Sequence, residues 1–199
     1  MNSVLQLLDK FSIDYQLIER PSSISCEESE AYLSDDIYLS DDIPGIQLRH
    51  LFLRDRKKHS FFLFAYNAQR KVCLKKMGQM LGVKGLTMAS IEDLKQMLNV
   101  DSGAVSLCAM INDIEHKVIP LLDEELRTAT HYCGVPNVTT ATLILSNQAW
   151  QQFFKAIDRS PVYIDAPARE TERVAGTPRR RALTENEKQQ IEQFERILD

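Results

Sequence analysis

The strongest constraint on this chain is the stretch Gly45–Tyr66, GIQLRHLFLRDRKKHSFFLFAY. Two runs rich in leucine and aromatic residues, Leu48–Leu53 and Ser60–Tyr66, flank the charged, turn-like Arg54–His59. That pattern predicts a β-hairpin. The first run alternates, placing Leu48, His50 and Phe52 on one face and Arg49, Leu51 and Leu53 on the other. The second, FFLFAY, is apolar throughout, as in a strand covered on both faces. A buried strand that begins with an arginine and a histidine needs partners for them, because an unpaired buried charge is costly.

Around that hairpin there is room for one domain with a real core, plus a tail: 199 residues, 44% hydrophobic and 26% charged. The net charge of -4 and a pI near 5.6 argue against a protein that coats nucleic acid non-specifically. Basic residues nevertheless cluster in Arg54–His59, Lys75–Lys76 and Arg179–Arg181, which leaves room for a small basic docking face. No apolar run reaches membrane-spanning length, and the N-terminus lacks a signal-peptide pattern. Cys26, Cys73, Cys108 and Cys133 have no CxxC spacing. Reduced thiols, a cytoplasmic location and no membrane association are the expectations.

In chain order, Val4, Leu7, Leu8 and Phe11 predict an amphipathic helix with Ser3 as its cap. Ile13–Ile18 alternates like a strand, and Ser25–Glu28 has capping-box spacing for a second helix. Tyr32–Ile37 and Tyr38–Ile43 are the same hexapeptide, YLSDDI, in tandem. Two such short copies cannot make a solenoid, so they read as an acidic loop insertion; the spacing lacks the glycine and distal glutamate of a calcium loop. After the hairpin a helix through Leu74, Met77 and Leu81 is stopped by Gly82. Leu86–Met88 reads as a short strand, and Ser90 caps a helix carrying Ile91, Leu94, Met97 and Leu98, with Asp93 at its third position. A turn at Val100–Gly103 precedes expected strands at Ala104–Ile111 and Lys117–Leu122. Asp123–Thr130 is expected as a helical turn and Thr139–Leu145 as a strand. Ser146 then caps a helix with Trp150, Phe153, Phe154 and Ile157 on one stripe, which marks core rather than a base-stacking platform.

From Asp158 prolines and charges predict a linker. Thr184–Glu187 is a capping box opening an amphipathic helix with Ile191, Phe194, Ile197 and Leu198. The expected organisation is therefore a domain over 1–157, a linker over 158–183 and a C-terminal helix over 184–199, with α+β or mixed α/β class around one sheet.

Five segments carry a family resemblance: GIQLRHLFLRDRKKHSFFLFAY, KMGQMLGVKGLTMAS, IEDLKQMLNVDSGAVSLCAMIND, VIPLLDEEL and TTATLILSNQAWQQFF. In order and spacing they resemble the editing-domain family of prolyl-tRNA synthetase, in its freestanding branch that deacylates mischarged tRNA. The resemblance runs from about Leu5 to Ile157. It implies an α+β fold: a single domain with a curved, mostly antiparallel sheet surrounded by helices.

The site positions depart from the family pattern. Arg49-His50 stands where Lys-Asn is usual, and Gly103–Leu107 replaces Gly-x-x-x-Pro. Ala109 takes a common glycine position. Val135-Pro136-Asn137-Val138-Thr139-Thr140 replaces His-Pro-x-x-Asn-Thr.

The resemblance implies hydrolysis of the ester between a wrong amino acid and the tRNA 3′-terminal ribose, with no cofactor and no metal. Such an ester is already activated, so positioning a water and stabilising the oxyanion is most of the task. By position, Arg49 is implied as the anchor of the tRNA end, and a surface arginine in an ion pair is its alternative. His50 is implied as base or hydrogen-bond donor, or as a packed histidine. Gly103 is implied as catalytic, through a turn that points backbone amides into the cleft, with an ordinary turn before a strand as its alternative. Ala104, Ser106 and Thr139 are implied as substrate-binding. His131 and Cys133 could share a strand face, yet no further metal ligand has matching spacing, which leaves packing or loop roles. Two readings stand: a trans-editing deacylase acting on the tRNA 3′ end, or a catalytically silent module that binds tRNA or a synthetase.

Overall fold

The structure is a computed structural model that describes residues 3–19 and 45–168. The second capping box, the YLSDDI repeat and the C-terminal helix lie outside the described residues.

Eight strands form one sheet: β1 (Gln16–Glu19), β2 (Ile46–Arg54), β3 (Phe61–Asn67), β4 (Thr87–Met88), β5 (Val118–Asp123), β6 (His131–Gly134), β7 (Ala141–Ser146) and β8 (Val162–Ile164). Their order is β1-β7-β6-β2-β3-β5-β8, and β4 pairs with β2. The predicted hairpin is its centre: β2 and β3 pair antiparallel from Leu48↔Asn67 to Arg54↔Phe61. The pairings of β1 with β7, β6 with β7 and β4 with β2 are also antiparallel. Those of β2 with β6, β3 with β5 and β5 with β8 are parallel. The sheet is thus mixed, with antiparallel pairing only slightly ahead.

Two-sided burial of β3 divides the core. Phe61, Leu63 and Ala65 join one apolar cluster, and Phe62, Phe64 and Tyr66 the other. The first is covered by Val4 and Leu8 of α1 (Ser3–Lys10), Leu94 and Leu98 of α3 (Ile91–Leu98), and Trp150 and Phe153 of α4 (Asn147–Ala156). The second is closed by Met77 of α2 (Leu74–Met80) with Leu81. Each such large side chain contributes roughly 1.5–3 kcal/mol by leaving water. Two residues assigned to apolar stripes stay outside: Phe11 is 49% exposed and Ile91 68%. Phe11 follows the last residue of α1, and Ile91 is the first residue of α3.

The helix starts follow the caps in the sequence. The Ser90 hydroxyl accepts from Asp93 N and the Asp93 carboxylate accepts from Ser90 N, a complete capping box. Ser146 accepts from Ala149 N.

Two expectations are corrected. Ala104–Ile111 is not a strand; Ser102–Ala104 and Leu107–Asn112 are 3-10 helices. A short apolar run fits a buried helical segment as well as a strand, and Ser106 decides it by accepting from Cys108 N. Nor does the domain end at Ile157. Val162 and Ile164 are buried as β8 alongside β5, and Arg159 is held by the buried carboxylate of Asp113. That carboxylate also accepts from Lys117 N and Val118 N at 2.9 and 2.8 Å. The expected linker therefore begins as part of the sheet.

Candidate functional site

The register leaves a gap in β2. On the edge away from β3, β6 pairs only with Ile46 and Gln47, and β4 only with Leu53 and Arg54. Among the described residues no strand borders Leu48–Phe52 on that edge. Arg49 and His50 lie in this gap and point to opposite faces of the sheet.

On the face of the first core cluster His50 is half-buried against the end of β6. A β-carbon at Gly134 would lie 3.6 Å from His50 Cε1 and 3.5 Å from Ser106 Cβ. Ser106 is fully buried. Its hydroxyl donates to Val135 O at 2.5 Å and accepts from Cys108 N at 3.1 Å. Asn137 donates to Cys108 O at 3.4 Å from a left-handed backbone, φ 58°, in the turn between β6 and β7; asparagine adopts that conformation more readily than most residues. These bonds clamp the 103–112 segment onto the 134–139 segment. Gly103 completes the clamp, since a β-carbon there would meet Thr139 Cγ2 at 3.5 Å.

Three segments that the resemblance singled out are therefore adjacent: His50, the Gly103–Leu107 loop and the segment through Thr139. Their polar atoms are not all satisfied. His50 Nε2 and Asn137 Oδ1 are buried and find no hydrogen-bond partner among the described residues. Burial pushes the His50 imidazole down to about 3, so it is neutral at physiological pH. A neutral imidazole so hard to protonate is a poor general base but a competent hydrogen-bond partner. Burial likewise pushes the Cys108 thiol up to about 12, which keeps it from acting as a thiolate nucleophile.

Arg49 is elsewhere. It lines a depression of about 450 Å³ on the opposite face, with Leu51, Tyr66, Lys71, Leu74 and Met88 among its walls. Arg70 is there too, holding Asp123 at 2.5 Å and Ala166 O at 2.9 Å. Arg49 and the Gly103 loop do not share one concavity; they flank one gap from its two sides, because neighbouring residues on a strand must diverge.

Other expectations are refined. Gly103 does form a turn, but not through a left-handed backbone; positive φ among the described glycines is confined to Gly45, Gly82 and Gly85. Gly45 is the glycine that cannot change, since a β-carbon would come within 2.6 Å of His131 O. The Ser106 hydroxyl is committed within the protein, Ala104 is buried, and Gly103 and Thr139 are exposed. His131 is exposed and Cys133 buried on β6. Among the described residues no three His, Cys, Asp or Glu side chains could hold a metal together. Gly134 and Asn137 were missed as site residues. Asn137 lies inside the rewritten segment, which was its sequence signal, whereas Gly134 stands just before it and had none.

The comparisons agree with this architecture. The family model for the aminoacyl-tRNA editing domain matches residues 39–153. Prolyl-tRNA editing protein ProX of Acetoanaerobium sticklandii is 31% identical over 154 residues, spanning 77% of this chain and 90% of that protein. The prolyl-tRNA synthetase associated domain-containing protein 1 of Mus musculus is 26% identical over 165 residues, 80% of this chain and 92% of its own. Two solved structures share the fold. One is the hypothetical protein APE2540, with TM-score 0.58 and 15% identity over 82% of this chain and 97% of that one. The other is a candidate trans-editing enzyme for prolyl-tRNA synthetase, with TM-score 0.54 and 15% identity over 82% and 94%. This chain belongs to the aminoacyl-tRNA editing domain family.

Proposed function

We propose that this protein is a trans-editing aminoacyl-tRNA deacylase of the prolyl-tRNA class or a related one, working at the gap in β2. The observation that carries the reading is the clamp that brings His50, Gly103 and Thr139 together, in a chain that matches ProX over most of both lengths. In the proposed reaction a water attacks the ester carbonyl, the bond to the ribose oxygen breaks, and that oxygen takes up a proton. Backbone groups of the Gly103–Ser106 loop hold the aminoacyl part. His50 acts as a neutral hydrogen-bond partner through Nε2 rather than as a base. Ser106 and Gly134 fix the distance between loop and strand.

Arg49 reaches the terminal phosphate from the other side of the gap. A hydrogen bond to a charged group is worth roughly 1.5–3 kcal/mol, so Arg49→Ala should weaken tRNA-end binding about ten- to a hundredfold. Arg49→Lys should retain part of the affinity, since the charge survives and the fork is lost. The protein is expected to act in the cytoplasm, and a synthetase that releases mischarged tRNA is its expected protein partner. Among the described residues no helix is long and apolar enough to cross a membrane.

The silent-module reading draws on one observation: the Lys, Asn, Pro and His of the family pattern are replaced by Arg49, His50, Leu107 and Val135. Incubating the protein with tRNAs charged with different amino acids and following ester loss separates the two. Hydrolysis of at least one mischarged tRNA supports the deacylase; binding without hydrolysis across the panel supports the silent module.

A further inference from the structure

The charge of this acidic protein is unevenly placed. Between residues 45 and 90 there are ten lysines and arginines against one acidic residue, Asp55, although the chain as a whole carries -4. Asp55 is used up locally, since its carboxylate accepts from the backbone of Lys57, His59 and Ser60. Two acids from other elements that meet this group are themselves buried: Asp93, between Lys58 at 2.8 Å and Arg54 at 3.4 Å, and Asp123, on Arg70 at 2.5 Å.

The structure joins these cations into one surface. Arg56 N donates to Lys84 O at 3.3 Å, and Gly85 closes on the Arg56 side chain. Val83 N donates to Gly78 O of α2 at 2.8 Å. The β2–β3 turn, the Gly82–Leu86 loop and α2 are therefore contiguous. Arg56, Lys57, Lys71, Lys75, Lys76 and Lys84 are all exposed, and Lys71 leads into the depression that holds Arg49. Seven residues of α2 span about 10 Å, and the face continues past both of its ends. A line of cations on one side of a net-acidic protein matches a run of phosphates rather than a single small anion.

We propose that this face, from Lys71 over α2 to the Arg56–Lys57 turn, docks the phosphate backbone of the tRNA acceptor arm while the 3′ end enters the gap. The inference rests on the deacylase reading and adds to it the surface that takes the body of the substrate.

The test measures binding of uncharged tRNA across a salt series for the parent and for Lys57→Glu/Lys75→Glu/Lys76→Glu/Lys84→Glu. A second set with glutamine at the same positions and melting curves for all variants guard against misfolding. The control, Lys117→Glu/Lys155→Glu, alters exposed lysines elsewhere and is compared with the pair Lys75→Glu/Lys76→Glu, which changes the charge equally. The expected result is a loss of about tenfold or more at low salt. The slope of log affinity on log salt should be shallower by about one for each phosphate contact removed. The glutamine set should lose less, and the control little. Hydrolysis of an aminoacyl-adenosine, too short to reach the face, should be unchanged in every variant. Parent-like tRNA binding by the face variants, or an equal loss in the control, would overturn the proposal. So would retained tRNA binding with lost binding to a synthetase, which would assign the face to a protein. A parent that hydrolyses no aminoacyl ester defeats the deacylase reading instead, and binding of uncharged tRNA still decides the docking face.

Discussion

His50 and Ser106 stand on either side of Gly134 with a gap between them that one methyl group would fill. A β-carbon there would lie 3.6 and 3.5 Å from the two side chains, ordinary contact distances. Gly134→Ala should therefore change stability by no more than about 0.5 kcal/mol. If the aminoacyl group enters beside His50, the same methyl should cut deacylation about tenfold or more through misplacement. Melting curves beside single-turnover hydrolysis check both halves. Unchanged turnover would move the site away from this clamp.

The His50 imidazole is held far below its ordinary value, near 3, by burial. Its native form resists a proton that the unfolded chain binds near 6.5. The unfolded state thus binds more protons between those values, and stability falls as pH drops from about 6.5 towards 3. His50→Asn should flatten that limb, by at most about 1.4 kcal/mol per pH unit. It should also leave turnover without a histidine inflection near 6.5, as in the parent. NMR titration of the His50 ring gives the same answer directly, and a midpoint near 6.5 would contradict its buried state.

Asp93 ties the β2–β3 hairpin to α3. The Lys58 hydrogen bond holds its carboxyl below the ordinary value of 3.8, and the capping box is closed by the same group. Its contribution is complete above the unfolded value and is lost as pH falls through the lower native value. Asp93→Ala should cost about 1–3 kcal/mol at neutral pH, from the lost cap and the unpaired cations. That difference should shrink in acid. Denaturant titrations at neutral and acidic pH measure it.

A chain ending at Ile157 should be far less stable than one ending at Ala168. The shorter chain strands Asp113 without Arg159, and breaking a buried pair costs about 3–5 kcal/mol; it also loses the buried Val162 and Ile164. Comparing thermal midpoints of the two truncations tests this, and equal midpoints would restore the earlier boundary. On the full chain, limited proteolysis is expected to cut beyond Ala168, within the linker that the sequence predicts up to residue 183.

The hairpin was legible because FFLFAY can be satisfied only by two covered faces, and the caps at Ser90 and Ser146 because the acceptor side chains sit in the sequence itself. The 3-10 segment at Leu107–Asn112 was not, since its apolar run has no period that separates it from a strand. β8 was hidden among prolines; it forms because Arg159 finds Asp113, a pairing 46 residues apart. The candidate site was half legible. Position in the resembling segments pointed to His50, Gly103 and Thr139, but alternation on β2 sends Arg49 to the far side. Gly134 matters through the side chain it lacks, which no motif displays.

The most direct test of the central claim is ester loss from a panel of mischarged tRNAs, followed for the parent, Arg49→Ala and Gly134→Ala under single turnover. The account predicts that the parent deacylates at least one of them well above the spontaneous rate. Arg49→Ala should need about ten- to a hundredfold more protein to reach half-maximal rate, and Gly134→Ala should lower the maximal rate itself. A parent that leaves every ester intact, or two variants indistinguishable from an active parent, would contradict it.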